Sequence, residues 1–192
     1  PEYEVVYVDD KENLPYGNKK PAELLKLVLP KLNKLLEDEC EVIVIACNTV
    51  STTLAPKLRE ILSVPIVAIE PMLKPAVSMT KSNVITVCAT PTTLASDRYK
   101  QLKQELAFSV RVIEPDCSDW SYMIENDEID QEKIAKTVEY SCQNGSDIIV
   151  LGCTHYHWIE EMIINLTNGR AVVIQPEAAV IKQLKRVLEQ PR

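Results

Sequence analysis

Two stretches decide the reading of this chain: Val42-Ile43-Val44-Ile45-Ala46-Cys47-Asn48-Thr49 and Ile148-Ile149-Val150-Leu151-Gly152-Cys153-Thr154-His155. Each begins with four apolar, mostly β-branched residues, the pattern of a strand buried on both faces as in a parallel sheet. A small residue, Ala46 or Gly152, then permits a tight turn, a cysteine follows, and hydroxyl-bearing or polar residues stand where they would cap the next helix. In open α/β sheets ligands bind outside the carboxyl ends of the strands. The two thiols are therefore expected to face one cleft.

Working outward, short β-branched runs alternate with longer segments of helical period, which predicts an α/β protein with mainly parallel sheets flanked by helices. The predicted strands are Glu4 to Val8, Val42 to Ala46, Ile66 to Ile69, Val84 to Cys88, Val110 to Ile113, Ile148 to Leu151 and Ala171 to Ile174. Between the first two, Leu24, Leu25, Val28, Leu29, Leu32, Leu35 and Leu36 recur at helical steps, Pro21 suits a first turn, and Pro30 predicts a bend. A closing helix is predicted over Glu177 to Glu189, and another from about Asp130 to Asn144 after a solvated charge-rich loop at Asp127 to Lys133. The stretches Pro71 to Asn83 and Thr167 to Arg170 are candidate crossings between two lobes.

The 192 residues suffice for one generous domain or two small ones, and 46% hydrophobic residues with only four glycines exclude collagen-like and disordered classes. A net charge of −7 leaves no basic stripe, so no nucleic acid and no membrane surface is expected as a partner. Apolar runs are too short to span a bilayer. No secretory signal is visible, which predicts a soluble cytoplasmic chain with reduced thiols, and the start at Pro1 suggests processing or a fragment. Six cysteines at irregular spacing with no C-x-x-C, and only two histidines, indicate neither a disulfide scaffold nor a metal site.

A helix N-terminus favours thiolate and can also hold a carboxylate. With a reference pKa of about 8.5, a thiol helped in this way can act as a base near neutrality. Either cysteine alone also reads as a small buried hydrophobe. The matched pair is harder to explain by packing, which would prefer Val or Ala. Two thiols across a small substrate suit stereoinversion: one thiolate removes a proton from one face and the opposing thiol delivers one to the other. A redox pair would need the sulfurs within bonding distance, which turns flanking a substrate would prevent.

At these residues the chain resembles the cofactor-independent aspartate/glutamate racemase family, and its glutamate branch more than its aspartate or hydantoin branches. The motifs are Ala46-Cys47-Asn48-Thr49, Gly152-Cys153-Thr154-His155-Tyr156 and Asp10-x-x-x-x-Pro15-Tyr16-Gly17, with Ile69-Glu70-Pro71, Thr90-x-x-Thr93 and the Cys117 to Glu125 interval as further landmarks. The resemblance implies two pseudo-symmetric lobes with D- or L-glutamate in the cleft between them, and neither pyridoxal phosphate nor a metal. The lobes would be residues 1–80 with 171–192, and 81–170.

It further implies Cys47 and Cys153 as the acid/base pair, with Glu125 and His155 tuning the thiols. Tyr16, Gly17, Asn48, Thr49, Thr154 and His155 would contact the amino acid, and Thr90 or Thr93 would add a hydroxyl. Without the resemblance, Pro15-Tyr16-Gly17 reads as a turn, Glu125 as a surface carboxylate, and His155 as a helix-start residue bonded to backbone. His157 and the remaining cysteines, Cys40, Cys88, Cys117 and Cys142, read as structural. The chain opens at what resembles the family's second strand, without its usual Asp-Ser-Gly turn, and Asp9 and His157 replace the usual Gly and Pro. The implied role is a supply of D-glutamate for the bacterial wall, with a homodimer compatible. A silent chain that binds an amino acid or a protein partner, and a racemase of aspartate or a hydantoin, are the alternatives.

Overall fold

The computed structural model describes residues 3–106 and 108–189. In chain order they form α1 (Pro21–Glu37), β1 (Ile43–Ile45), α2 (Asn48–Ile61), β2 (Ile66–Ala68), α3 (Leu73–Met79), β3 (Val84–Ala89), α4 (Pro91–Ala95), α5 (Asp97–Leu106) and β4 (Arg111–Ile113). Then follow α6 (Trp120–Glu125), α7 (Gln131–Gln143), β5 (Ile148–Gly152), α8 (Glu160–Thr167), β6 (Val172–Ile174) and α9 (Glu177–Leu188). Short 3-10 helices occupy Lys11–Asn13 and Thr154–Ile159. All strand pairs are parallel and fall into two sheets, β1-β2 and β4-β3-β5-β6.

The smaller sheet is covered on one face by α1 and α2. Leu24, Val28 and Leu32, spaced four apart, bury the α1 stripe against Ile43 and Ile45, beside Leu54 and Leu58 of α2. Each fully buried leucine contributes about 1.5–3 kcal/mol of transfer free energy, so this stripe decides where α1 sits. Pro21 lies in the first turn as expected, and α1 runs through Pro30 to Glu37.

The larger sheet is covered on both faces, as its continuous apolar strands require. Ile85, Val87 and Ala89 of β3 face Leu73 and Ala76 of α3 and Tyr99 and Leu102 of α5. Cys88, Ile149 and Leu151 face the opposite way, onto Trp120, Ile134, Val138 and Ile163 of α6, α7 and α8.

Three expectations are corrected. Glu4 to Val8 forms no strand: among the described residues no strand pairs with it, and Val5 and Tyr7 are 83% and 81% exposed. Pro71 to Asn83 does link the smaller sheet to the larger one, between β2 and β3, and it carries α3, whose Leu73 and Ala76 are fully buried under the larger sheet. Thr167 to Arg170 is a turn inside the larger unit. Left-handed Asn168 and Gly169 stop α8 there, and β6 then pairs with β5. Residues 171–192, grouped by the sequence reading with the first lobe, therefore divide: Val172–Ile174 extends the larger sheet, while α9 packs against β2.

Candidate active site

The carboxyl ends of β1 and β5 deliver Cys47 and Cys153 in matched geometry. Cys47 is the N-cap residue of α2 with φ −150° and ψ 118°, and Cys153 is the N-cap of the Thr154–Ile159 helix with φ −146° and ψ 136°. The cysteine residues themselves occupy the N-cap positions. This corrects the expectation that the following hydroxyl residues would cap, since Asn48 and Thr154 are already the first helical residues.

Gly152 explains how β5 brings its cysteine in so closely. A Cβ there would lie 2.9 Å from the Ala89 Cβ and 3.1 Å from the Cys88 carbonyl oxygen on neighbouring β3.

Both thiols are held in the protonated form, for the same reason and against the same opposition. Burial pushes Cys47 up, while the backbone N–H groups of Val50 and Thr49 and the Thr49 hydroxyl pull it back. Burial pushes Cys153 up to about 12, charge on Cys47 adds to it, and the backbone N–H groups of His155 and Tyr156 oppose it. The two sulfurs are thus in electrostatic contact, and ionising one disfavours ionising the other. Ala46 and Cys153 line one cavity of about 380 Å³, together with Val44, Ile69, Thr154 and Ile181. A second cavity of about 390 Å³, at Leu36, Cys40 and Pro65, lies at the amino ends of β1 and β2 and holds none of the candidate residues.

Beyond the thiols the two turns differ. His155 Nδ1 is 3.7 Å from the Cys153 sulfur, and its Nε2 is 2.6 Å from Oε1 of Glu125 at the end of α6. If a carboxylate accepts Nε2–H, Nδ1 is left free to accept the thiol proton. His155 is therefore bonded to side chains and not to backbone, and Glu125 is not a bare surface acid. Cys47 has no imidazole beside it among the described residues. Its turn carries a buried hydroxyl cluster, with Thr49 Oγ1 2.9 Å from Thr90 Oγ1 and 3.3 Å from Thr93 Oγ1.

Asn48 is 1% exposed, yet neither polar atom of its side-chain amide has a hydrogen-bond partner. An unpartnered buried amide costs on the order of 1–3 kcal/mol per group, so such a residue points to a ligand that completes it. Tyr16 is buried in the smaller core, and its hydroxyl donates to Asp10 Oδ2 at 2.5 Å. Gly17 lies against Thr90, where a Cβ would come within 2.8 Å of the Thr90 Cγ2. Thr154 lines the cavity beside Cys153. The candidates thus collect at the carboxyl edges of the two sheets. His157 also reaches this cavity and pairs with Glu160 at 3.4 Å. Among the described residues no group of three or more His, Cys, Asp or Glu side chains could hold a metal.

Sequence reasoning missed what Asp10 does. It entered only as the first letter of a motif, and its spacing to Tyr16 was the one available signal.

A profile of the Asp/Glu/Hydantoin racemase family matches residues 2–184. The chain belongs to that family. It is similar to the glutamate racemase of Herpetosiphon aurantiacus, 34% identical over 98% of this chain and 76% of that one. With the glutamate racemase of Methylococcus capsulatus it shares 33% identity over 98% of this chain and 71% of the relative. Among solved structures, the glutamate racemase of Aquifex pyrophilus superposes with a TM-score of 0.74 at 28% identity, covering 94% of this chain and 72% of its own. That of Francisella tularensis in complex with D-glutamate gives 0.73 at 26% identity, covering 93% and 68%. The expected α/β racemase fold is borne out.

Proposed function

We propose that the chain interconverts L- and D-glutamate by proton transfer between Cys47 and Cys153 across the cleft. The observation that carries this reading is the pair of matched cysteine caps, electrostatically coupled and adjoined by the orphaned amide of Asn48. Relatives named as glutamate racemases, and a structural neighbour solved with D-glutamate, support the substrate.

In this mechanism the amino acid's carboxylate is drawn to the partly positive N-terminal ends of α2 and the Thr154–Ile159 helix, helped by the hydroxyls of Thr49 and Thr154. Asn48 completes its two orphaned atoms on the substrate. Tyr16 and Gly17 close the cleft beside Thr90. One sulfur, as thiolate, takes the α-proton, and the other, as thiol, protonates the opposite face. Burial serves this chemistry: a desolvated thiolate is a stronger base than one in water, closer in proton affinity to a weakly acidic carbon. The mutual repulsion of two charges keeps one sulfur protonated at any moment, as a donor-acceptor pair needs. Glu125 and His155 assist at Cys153, Glu125 by fixing the imidazole tautomer and His155 by holding the thiol proton.

The product would be D-glutamate for peptidoglycan synthesis, made in the cytoplasm. Among the described residues no helix is long and apolar enough to cross a membrane. The test is racemisation of glutamate by the purified chain, followed by circular dichroism, with Cys47→Ser and Cys153→Ser as variants. Each substitution is expected to abolish turnover while leaving the melting curve cooperative. Calorimetric binding of glutamate without racemisation by the parent chain would favour the silent amino-acid binder instead.

A further inference from the structure

The segment Leu14 to Lys19 runs as a strap from the smaller unit to the larger one. At one end the Tyr16 ring is buried with Leu24, Val28 and Ile45 in the core of the smaller sheet. At the other, three contacts hold the strap to the larger unit. The Gly17 carbonyl accepts the Thr92 backbone N–H at 3.1 Å, the Lys19 carbonyl accepts the Thr92 hydroxyl at 3.1 Å, and Asn18 Nδ2 donates to the Ser118 carbonyl at 3.4 Å. The strap therefore presses on the Thr90 to Thr93 turn, whose hydroxyls bond to Thr49 beside Cys47.

One side chain fixes the near end. Asp10 has a carboxylate only 7% exposed, held by Asn13 Nδ2 at 2.8 Å and Lys31 Nζ at 3.4 Å on Oδ1, with Oδ2 left for the Tyr16 hydroxyl. A carboxylate this well enclosed has few orientations open to it, and a hydrogen bond to a charged acceptor is among the stronger ones in proteins. Tyr16 is correspondingly locked as a neutral phenol whose proton points at Asp10, since burial and that carboxylate both push its ionisation far up.

We propose that Asp10 is a positioning residue that acts through the Tyr16 hydroxyl to hold the strap closed on the Thr90 to Thr93 turn, and so sets the affinity for the amino acid more than its turnover. Cys153 does not depend on this route, since its supports are the backbone N–H groups of His155 and Tyr156. Cys47 meets the route only through the Thr49 hydroxyl, the weakest of the three groups that oppose its burial, behind the backbone N–H groups of Val50 and Thr49. The affinity half of the inference rests on the proposed glutamate racemase activity, whereas the anchoring half does not.

The test compares Asp10→Asn, Tyr16→Phe and the double variant by racemase kinetics and by hydrogen exchange of the peptides covering 14–19 and 90–95. Loss of a charge-assisted bond predicts KM for glutamate raised about tenfold in each single variant. Turnover should change by less than about threefold, as for an interaction spent on binding. Because both substitutions cut one link, the double variant should be no worse than either single one, and both peptides should exchange faster in all three. A merely structural Asp10 would lower the melting temperature with KM and strap exchange unmoved, and that result overturns the proposal, as does a double variant showing the product of two independent effects. If Asp10→Asn does not fold, Tyr16→Phe decides alone by the same two readings. A parent chain without racemase activity would overturn the activity assignment and the affinity half together, and strap exchange would then decide the anchoring.

Discussion

Gly152→Ala is the substitution whose cost can be worked most directly from the structure. Gly152 does not have a positive φ, so the backbone would accept an alanine, and the objection is purely one of space. The added methyl would sit 2.9 Å from the Ala89 Cβ and 3.1 Å from the Cys88 carbonyl oxygen, both on a central, fully buried strand that cannot swing aside as a long side chain could. Relief requires β5 and β3 to part by several tenths of an ångström where they are directly paired, Ala89 opposite Gly152. Overpacking of this kind costs about 1–3 kcal/mol. For a domain of this size each kcal/mol lowers the melting temperature by about 2–4 °C, so a fall of roughly 2–12 °C is expected by circular dichroism.

The functional loss should be larger than the stability loss, because the next residue is Cys153. Displacing a reacting group by about 1 Å can cost about a hundredfold in rate. Racemisation measured well below the melting transition should therefore fall by ten- to a hundredfold. Adding Ala89→Gly, which removes the opposing methyl, should restore part of both. A Gly152→Ala variant that melts with the parent and retains full activity would refute the close-approach argument. A double variant no better than the single one would refute Ala89 as its cause.

Glu125→Gln should leave the fold intact and lower kcat/KM for glutamate about ten- to a hundredfold, because the imidazole beside Cys153 exchanges a charged partner that can only accept for a neutral amide that can also donate to Nε2, so its tautomer is no longer fixed. The loss should be equal for the two enantiomers, since mirror-image substrates have an equilibrium constant of one, and progress curves from pure L- and D-glutamate check this. Stability should fall in acid, because Asp10, Asp116 and Asp147 are all held below the ordinary carboxylate range by hydrogen bonds, which for Asp10 and Asp147 outweigh their burial. Their contribution is complete above the unfolded value of about 3.9 and is lost as pH drops through the lower folded values, so urea midpoints should decline below about pH 4. In alkali the sign comes from Cys153: the unfolded thiol ionises near 8.5 while the folded one stays protonated, so stability should also decline as pH rises from about 8.5 toward 12.

The parallel α/β architecture was legible because β3 and β5 are buried and carry the continuous apolar runs that burial demands, and α1 carries its stripe at regular spacing; β1 carries a similar run, yet its middle residue Val44 is exposed on the face of the smaller sheet that α1 and α2 leave uncovered. The pairing of the two cysteines was legible because the turn chemistry after β1 and β5 repeats. Less visible were features that depend on neighbours distant in sequence. Glu4 to Val8 has strand composition, yet composition cannot say whether an edge lies beside it. The turn at 167–170 looks like a crossing, and only the pairing of Val172 with Ile148 places the strand that follows in the larger sheet. The family resemblance pointed to Glu125, His155 and Thr90, but which thiol each one serves was not readable from spacing, because Glu125 stands thirty residues before His155 and Thr90 forty-one after Thr49.

The central claim is that two sulfurs act from opposite faces of one carbon, and solvent isotope tests it most directly. L-glutamate incubated with the chain in deuterium oxide, sampled before the first few per cent of conversion, should yield D-glutamate carrying deuterium at the α-carbon while recovered L-glutamate keeps its protium. Deuterium entering the recovered L-enantiomer as fast as the product forms would mean that a single group removes and returns the proton from one side, contradicting the opposed roles of Cys47 and Cys153.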